Sequence, residues 1–75
     1  MKVGEMMKFN NEKMMLAMAN ACMTISELSI QANLSRVVLT KYVNGKSNPK
    51  PATIGKIAKA LNVKVEDLID QERLV

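Results

Sequence analysis

Apolar residues recur at helical spacing in the N-terminal third of the chain. Over residues 11–21 the spacing is typical of one buried face of a helix, and the apolar positions are Met14, Met15, Met18, Ala21 and Cys22. Asn10 is suited to cap this helix, and Phe9 before it is placed to pack on Met14. We expect the methionine side chains to fill a core, since they adapt to irregular gaps, and we expect Cys22 to be buried with them.

Residues 24–45 predict two short helices, over 24–32 and 35–44, joined by a tight turn. Asn33 lies in the turn and tolerates the positive φ that such a turn requires. The side chains that can meet on the inner side are Leu28, Leu34, Leu39 and Tyr42. The side chains left on the outside of the second helix are Arg36, Val37, Thr40 and Lys41.

Both short helices carry start and stop signals. Thr24 and Ser35 are good N-cap residues, because a side-chain oxygen accepts a hydrogen bond from an unpaired N–H at a helix start. Glu27 stands three residues after Thr24, which is the spacing of a capping box. Gly45 ends the second helix as a left-handed residue.

A fourth helix and a short fifth helix follow a polar loop. Pro51 suits the first turn of the fourth helix, where its missing N–H costs nothing, and Asn62 ends that helix. Its apolar face is Ile54, Ile57, Ala58 and Leu61. Gly55 weakens the helix by about 1 kcal/mol relative to alanine, and we expect it to permit close helix contact. Residues 65–70 predict the fifth helix, with Val65, Leu68 and Ile69 inward.

These elements predict an all-α fold, a compact five-helix bundle that contains a helix-turn-helix. The chain has 75 residues, enough for one domain with a modest core. Residues 1–8 have no usable period and predict a flexible N-terminal arm. Residues 9–70 then form the domain, and residues 71–75 form a C-terminal tail.

Several of these residues together resemble a known family. They are Glu27-Leu28, the turn Ala32-Asn33-Leu34-Ser35, Leu39, Asn44-Gly45-Lys46, Pro49, residues 57–63 and residues 66–68. Over roughly residues 10–70 this pattern resembles the lambda-repressor/Cro-type (XRE-like) helix-turn-helix family. The resemblance implies a lambda-repressor-like DNA-binding domain whose recognition helix, residues 35–44, enters the major groove.

The charge distribution agrees with a polyanionic partner. The chain carries 11 basic and 7 acidic residues. Seven basic residues and no acid lie between residues 28 and 65, whereas four acids lie between residues 66 and 75. Positive charge is therefore concentrated over the recognition helix and the two segments after it, which favours nucleic acid.

Composition argues against several other classes of protein. No apolar run has the length of a membrane span, and no secretion signal is present, so we expect a cytoplasmic protein. One cysteine and no histidine exclude an internal disulfide and a Cys/His zinc site. No Gly-rich phosphate loop or metal-ligand spacing occurs. We therefore expect no enzyme, no cofactor, no membrane partner and no small-molecule ligand.

The resemblance assigns roles to particular residues. The base-reading positions are Ser35, Arg36, Val37 and Lys41, and the DNA-backbone positions are Thr24, Thr40, Asn44, Lys46, Ser47 and Lys50. The side chains suit these roles, since arginine can donate two parallel hydrogen bonds to guanine O6 and N7. An outward valine can contact a thymine methyl group.

Three departures from the family pattern stand out. Ile25 occupies a position that is often glutamine in relatives, so a polar bridge to phosphate and recognition helix is absent. Met18 and Val43 replace a frequent Arg–Glu pair, and we expect an apolar contact between them, which can substitute for a buried ion pair. Lys50 and Lys64 stand where serine or threonine usually caps the last two helices.

These features predict sequence-specific binding of double-stranded DNA by a small Cro/repressor-type transcriptional regulator. One recognition helix reads a short site, so we expect a homodimer on a near-palindromic operator, with the two helices about 34 Å apart. The alternative is a protein-interaction module of antitoxin or coactivator type that uses the same bundle. An exposed apolar patch on the first helix, with Met15 and Cys22, would favour that alternative.

Overall fold

The computed structural model describes residues 7–71, and the side chains of residues 8–70. Its elements in chain order are β1 (Met7–Phe9), α1 (Asn11–Ala21), α2 (Ile25–Ala32), α3 (Arg36–Val43), α4 (Pro51–Leu61), a 3₁₀ turn (Val65–Asp67) and β2 (Ile69–Gln71). Of the expected arm and tail, residues 1–6 and 72–75 lie outside the described residues. Residues 7 and 8 belong to β1, and residue 71 belongs to β2.

The first three helices begin at the side-chain caps that the sequence predicts. Asn10 Oδ1 accepts a hydrogen bond from Lys13 N at 3.0 Å. Thr24 and Glu27 form a complete capping box, in which Glu27 N donates to Thr24 Oγ1 and Thr24 N donates to Glu27 Oε1. Ser35 Oγ accepts from Val38 N at 3.1 Å. Each contact satisfies an N–H that a helix start leaves unpaired.

All four helices end at a residue with positive φ. Asn33, Gly45 and Asn62 serve this purpose as predicted, with φ values of 58°, 73° and 59°. The fourth is Cys22 with φ 54°, and its side chain is exposed. The expectation that Cys22 is buried is therefore wrong. Once α1 ends at Ala21, the next residue turns left-handed and its side chain leaves the helix face that packs on the core.

The core is formed by the facing sides of all four helices and the C-terminal segment. Its buried residues are Met14, Ala17, Leu28, Ala32, Leu39, Ile54, Ile57, Ala58, Leu61, Leu68 and Ile69. Phe9, Leu34 and Tyr42 are partly buried against it, and the Phe9 and Tyr42 rings meet edge to face with centroids 6.2 Å apart. Met18 and Val43 also pack on the core. Met15, by contrast, is 44% exposed, so not every methionine of α1 is a core residue.

The expected fifth helix is wrong, and so is the purely α-helical description. The 3₁₀ turn has three residues, and the chain then extends into β2, which pairs antiparallel with β1 in the register Met7–Gln71, Lys8–Asp70 and Phe9–Ile69. Leu68 and Ile69 are buried as predicted. The backbone partners of β2 lie about sixty residues earlier in the chain, so a local apolar pattern does not reveal them.

Polar contacts at the start of α1 hold this two-stranded sheet against the helices. Asn10 Nδ2 donates to Asp70 Oδ2 at 3.0 Å, and Lys13 Nζ lies 3.3 Å from Asp70 Oδ1. The hydrogen bond from Asn10, then that from Lys13, lowers the pKa of Asp70. Because the folded state favours the ionised carboxylate, this contribution to stability is present above the unfolded pKa. It is lost as the pH falls through the lower, folded pKa.

Substitution of Gly55 in α4 is expected to stabilise the protein. A Cβ atom built there meets no other atom within 4 Å, so the expected close helix contact at Gly55 is wrong. Gly55→Ala should raise the free energy of unfolding by about 0.5–1 kcal/mol, because alanine loses less backbone entropy on folding. Urea denaturation measures this.

Gly45→Ala is the matched control for that substitution. Gly45 has φ +73°, where a side chain is strained even though the space around it allows a methyl group. We expect Gly45→Ala to lower the free energy of unfolding by about 1 kcal/mol. If both substitutions changed the free energy of unfolding in the same direction, this account would be contradicted.

Candidate nucleic-acid interface

The pair of helices α2 and α3 is fixed from the inside. Leu28 of α2 and Leu39 of α3 are completely buried in the common core. Asn33 turns the chain between the helices, and Leu34 N donates to Ser29 O at 3.0 Å to close the end of α2. Ile25 packs on the core as well. Buried anchors on both helices therefore leave the opposite face of α3 in solvent.

That outer face forms an open depression of about 400 Å³. It is lined by Arg36, Val37, Thr40, Lys41, Asn44 and Lys46. These six residues are hereafter the α3 surface, and all of them were singled out from the sequence. Val37 is 66% exposed although it is apolar, so its side chain is available to a partner rather than to the core.

The four expected base-reading residues differ in their surroundings. Arg36, Val37 and Lys41 belong to the α3 surface. Ser35 is exposed at the start of α3, but its hydroxyl oxygen already accepts the hydrogen bond from Val38 N. Arg36 Nη1 donates to Ser26 Oγ at 3.2 Å, which links α3 to α2. Arginine has five N–H donors, so this contact leaves most of them available.

Three of the six expected DNA-backbone residues belong to the α3 surface. Thr40, Asn44 and Lys46 are part of the α3 surface, whereas Thr24, Ser47 and Lys50 are not among its lining residues. The backbone N–H and the hydroxyl of Thr24 both form hydrogen bonds with Glu27. Thr40 Oγ1 donates to Arg36 O at 2.8 Å, so its proton is used within α3. Lys50 is exposed at the start of α4, with no side-chain cap.

The segment between residues 28 and 65 presents its positive charge to solvent. All seven basic residues between positions 28 and 65 have exposed side chains. Within residues 7–71 none of them forms a salt bridge, the recorded pair being Lys13–Asp70. Unneutralised exposed cations attract a polyanion over about 8–10 Å at physiological salt.

No group of three or more His, Cys, Asp or Glu residues is assembled within residues 7–71 in a way that would hold a metal ion. No helix in the same range is long and apolar enough to cross a membrane.

Ser26 is a hydrogen-bond partner of the α3 surface that sequence reasoning missed. It stands in the first turn of α2, ten positions before Arg36. A serine near a helix start is ordinarily interpreted as a capping residue, and Thr24 already takes that role here. Only the angle and distance between two helices bring the Ser26 hydroxyl to the guanidinium, so no local pattern would have found this contact.

A curated regulator and a solved controller protein are similar to this chain. An uncharacterised HTH-type transcriptional regulator of Bacillus subtilis (strain 168), RghRB, is 40% identical over 48 residues, which is 63% of this chain and 34% of that protein. The chain thus spans about a third of the length of this relative. The crystal structure of the restriction-modification controller protein C.AhdI from Aeromonas hydrophila matches with a TM-score of 0.73 and 18% identity. That match covers 76% of this chain and 86% of the controller protein, and it establishes a shared fold.

The family assignment rests on the longest match. The profile of the Cro/C1-type HTH DNA-binding domain matches residues 13–72, which contain all four helices except the first two residues of α1. The sequence resemblance to the Cro-type family is therefore confirmed. This chain belongs to the family of Cro/C1-type helix-turn-helix DNA-binding domains.

Proposed function

We propose that this protein binds double-stranded DNA sequence-specifically and acts as a small transcriptional regulator of the repressor type. In this proposal α3 lies in the major groove and the α3 surface contacts base edges and phosphates. Repression needs only occupancy of an operator, so a single small domain suffices. A protein that binds an operator works in the cytoplasm, and this location is part of the proposal.

The composition of the α3 surface is the observation that carries the proposal. It combines Arg36, Lys41 and Lys46 with an exposed valine and without any acid. Arginine and lysine pair with guanine O6 and N7, and an apolar side chain suits a thymine methyl group. Cations and an apolar contact on one exposed helix face fit a groove that presents both kinds of base edge.

A second copy of the chain is the proposed partner on DNA. One α3 helix reads few base pairs, so affinity and specificity call for two copies on a near-palindromic operator. Two recognition helices about 34 Å apart would contact successive major grooves on one side of the duplex.

The experiment that tests the proposed function is selection of bound duplexes from a random DNA library. We expect the wild-type protein to recover a two-fold symmetric site with half-sites about one helical turn apart. Recovery of no motif, with only weak and salt-sensitive binding, would contradict sequence-specific recognition.

Lys46→Ala tests the assignment of phosphate contacts. Lys46 is exposed at the end of the α3 surface, just beyond Gly45. We expect weaker binding to all sequences alike, and a slope of log K against log salt that falls by about 0.9 for each contact removed. Fluorescence anisotropy at several salt concentrations measures this. Lys64→Ala is the control, since Lys64 is exposed but outside the α3 surface, and an equal change in its slope would refute the assignment.

One observation favours the alternative, a protein-interaction module of antitoxin or coactivator type. Met15 and Leu16 of α1 are 44% and 63% exposed, and Cys22 is exposed beyond them. Exposed apolar side chains on one helix suit a protein partner. If duplex selection recovers no motif, this side of α1 is the surface to test for protein binding.

A further inference from the structure

The hydrogen bond between Arg36 and Ser26 joins the two helices of the helix-turn-helix. Arg36 Nη1 donates to Ser26 Oγ at 3.2 Å, and both side chains are exposed. Ser26 lies in the first turn of α2, whereas Arg36 is the first residue of α3. The contact thus spans the outside of the helix pair, on the side where the core anchors Leu28 and Leu39 are absent.

An exposed arginine without such a contact samples many rotamers. Ordering a long side chain costs conformational free energy, because most of its rotamers are lost. A hydroxyl that accepts from one terminal nitrogen restricts both the direction of the side chain and the plane of the guanidinium. Four N–H groups remain, enough for the two parallel bonds that a guanine edge accepts.

We propose that Ser26 is a positioning residue that sets the orientation of Arg36 for base recognition. The inference rests on the proposed function, since Arg36 must read a base for its orientation to matter. Ser26 then contributes to specificity through Arg36 and without contacting a base. Prior ordering by Ser26 reduces the entropy lost on binding, which improves discrimination at the base pair that Arg36 reads.

The neighbouring serine provides a matched control. Ser29 belongs to the same helix, but its hydroxyl donates to Ser26 O at 2.8 Å and makes no contact with Arg36. Ser26→Ala and Ser29→Ala each remove one hydroxyl from α2. Only the first removes the acceptor that Arg36 uses. Ser26→Thr keeps a hydroxyl acceptor at the same position.

The test is a double-mutant cycle on base preference. Wild type, Ser26→Ala, Arg36→Ala and the double variant are each measured against the selected operator and against an operator changed at the base pair that Arg36 reads. We expect Ser26→Ala to reduce discrimination at that position by about three- to tenfold, the range of one hydrogen bond. Binding to unrelated duplexes should stay unchanged.

The cycle separates positioning from direct contact. If Ser26 acts through Arg36, Ser26→Ala has no further effect once Arg36 is alanine. Ser26→Thr should retain the wild-type preference, as should Ser29→Ala. An equal loss in the wild-type and Arg36→Ala backgrounds would show that Ser26 contacts DNA itself, and would overturn the inference.

Failure of this inference is distinguishable from failure of the proposed function. A wild-type protein that selects a defined operator, together with an unchanged preference in Ser26→Ala, overturns the role of Ser26 alone. A wild-type protein that selects no operator overturns both.

Discussion

Arg36→Ala is expected to abolish the preference for guanine at one base pair of each half-site. Arg36 is exposed on the α3 surface, and its guanidinium donates to Ser26 in the first turn of α2. A bidentate pair with guanine O6 and N7 discriminates by about 1–3 kcal/mol, roughly 5- to 150-fold. Alanine makes neither hydrogen bond, so the change should appear as relaxed selectivity at a single position. Parallel selection of duplexes by wild type and variant measures this directly.

The pattern of loss distinguishes base reading from charge attraction. Removal of a base contact relaxes one position of the selected site and leaves the remaining positions as they were. Removal of a phosphate contact weakens binding to every sequence and flattens the salt dependence. Lys46→Ala therefore serves as the matched comparison. Uniform weakening in Arg36→Ala, with an unchanged preference at every position, would reassign Arg36 to the DNA backbone.

Leu39→Ala is expected to cause a large loss of stability. Leu39 lies on the inner face of α3 and is 0% exposed. Truncation of a buried leucine costs about 3–5 kcal/mol, because apolar contact is lost and a cavity remains. A domain of this length has a total stability of about 4–11 kcal/mol, so the variant should lie close to its unfolding threshold. Urea denaturation followed by circular dichroism measures the change.

Val37→Ala on the same helix provides the control. Val37 is 66% exposed and belongs to the α3 surface. We expect its stability to stay within about 0.5 kcal/mol of wild type, while any preference for thymine at the contacted base is reduced. A large loss of stability in Val37→Ala, or a small one in Leu39→Ala, would mean that α3 is rotated relative to the structure.

Comparison of Leu39→Ala with Arg36→Ala also separates folding from recognition. Leu39→Ala should bind DNA less well only because less of the protein is folded, and a specific duplex should restore part of its stability by mass action. Arg36→Ala should be as stable as wild type, since its side chain lies outside the core. Measurement of unfolding and binding on both proteins therefore tests the inner and the outer face of one helix.

Much of the helical framework was readable from local chemistry. The helix starts at Asn10, Thr24 and Ser35 are predictable, because each side chain accepts a hydrogen bond from the backbone N–H three residues later. Helix ends at Asn33 and Gly45 follow from residues that tolerate positive φ. The two groups of each such contact lie only a few residues apart, so a short stretch of sequence is enough to predict the contact. The inward position of Leu28 and Leu39 follows from helical spacing for the same reason.

Two errors come from extending an apolar helical period beyond the residues that form a helix. Cys22 was expected inside because it continues an apolar spacing, but the helix ends one residue before it. Residues 65–70 were expected to be a helix because their apolar positions fit that period. Residues 65–67 instead form a 3₁₀ turn, and the backbone of residues 69–71 pairs with residues 7–9, with Phe9 opposite Ile69. Pairing between the two ends of the chain competes with the local preference, and only the assembled fold decides that competition.

The candidate site divides in the same way. Spacing and composition are sufficient to identify the outward residues of α3, the positive charge of residues 28–65 and the family. The tertiary structure decided which hydroxyl groups are already engaged, as at Thr24 and Thr40, and it brought Ser26 to Arg36. Hydrogen bonds between helices depend on interhelical angle and distance, which are set by how the buried side chains pack together and not by any single stretch of the chain.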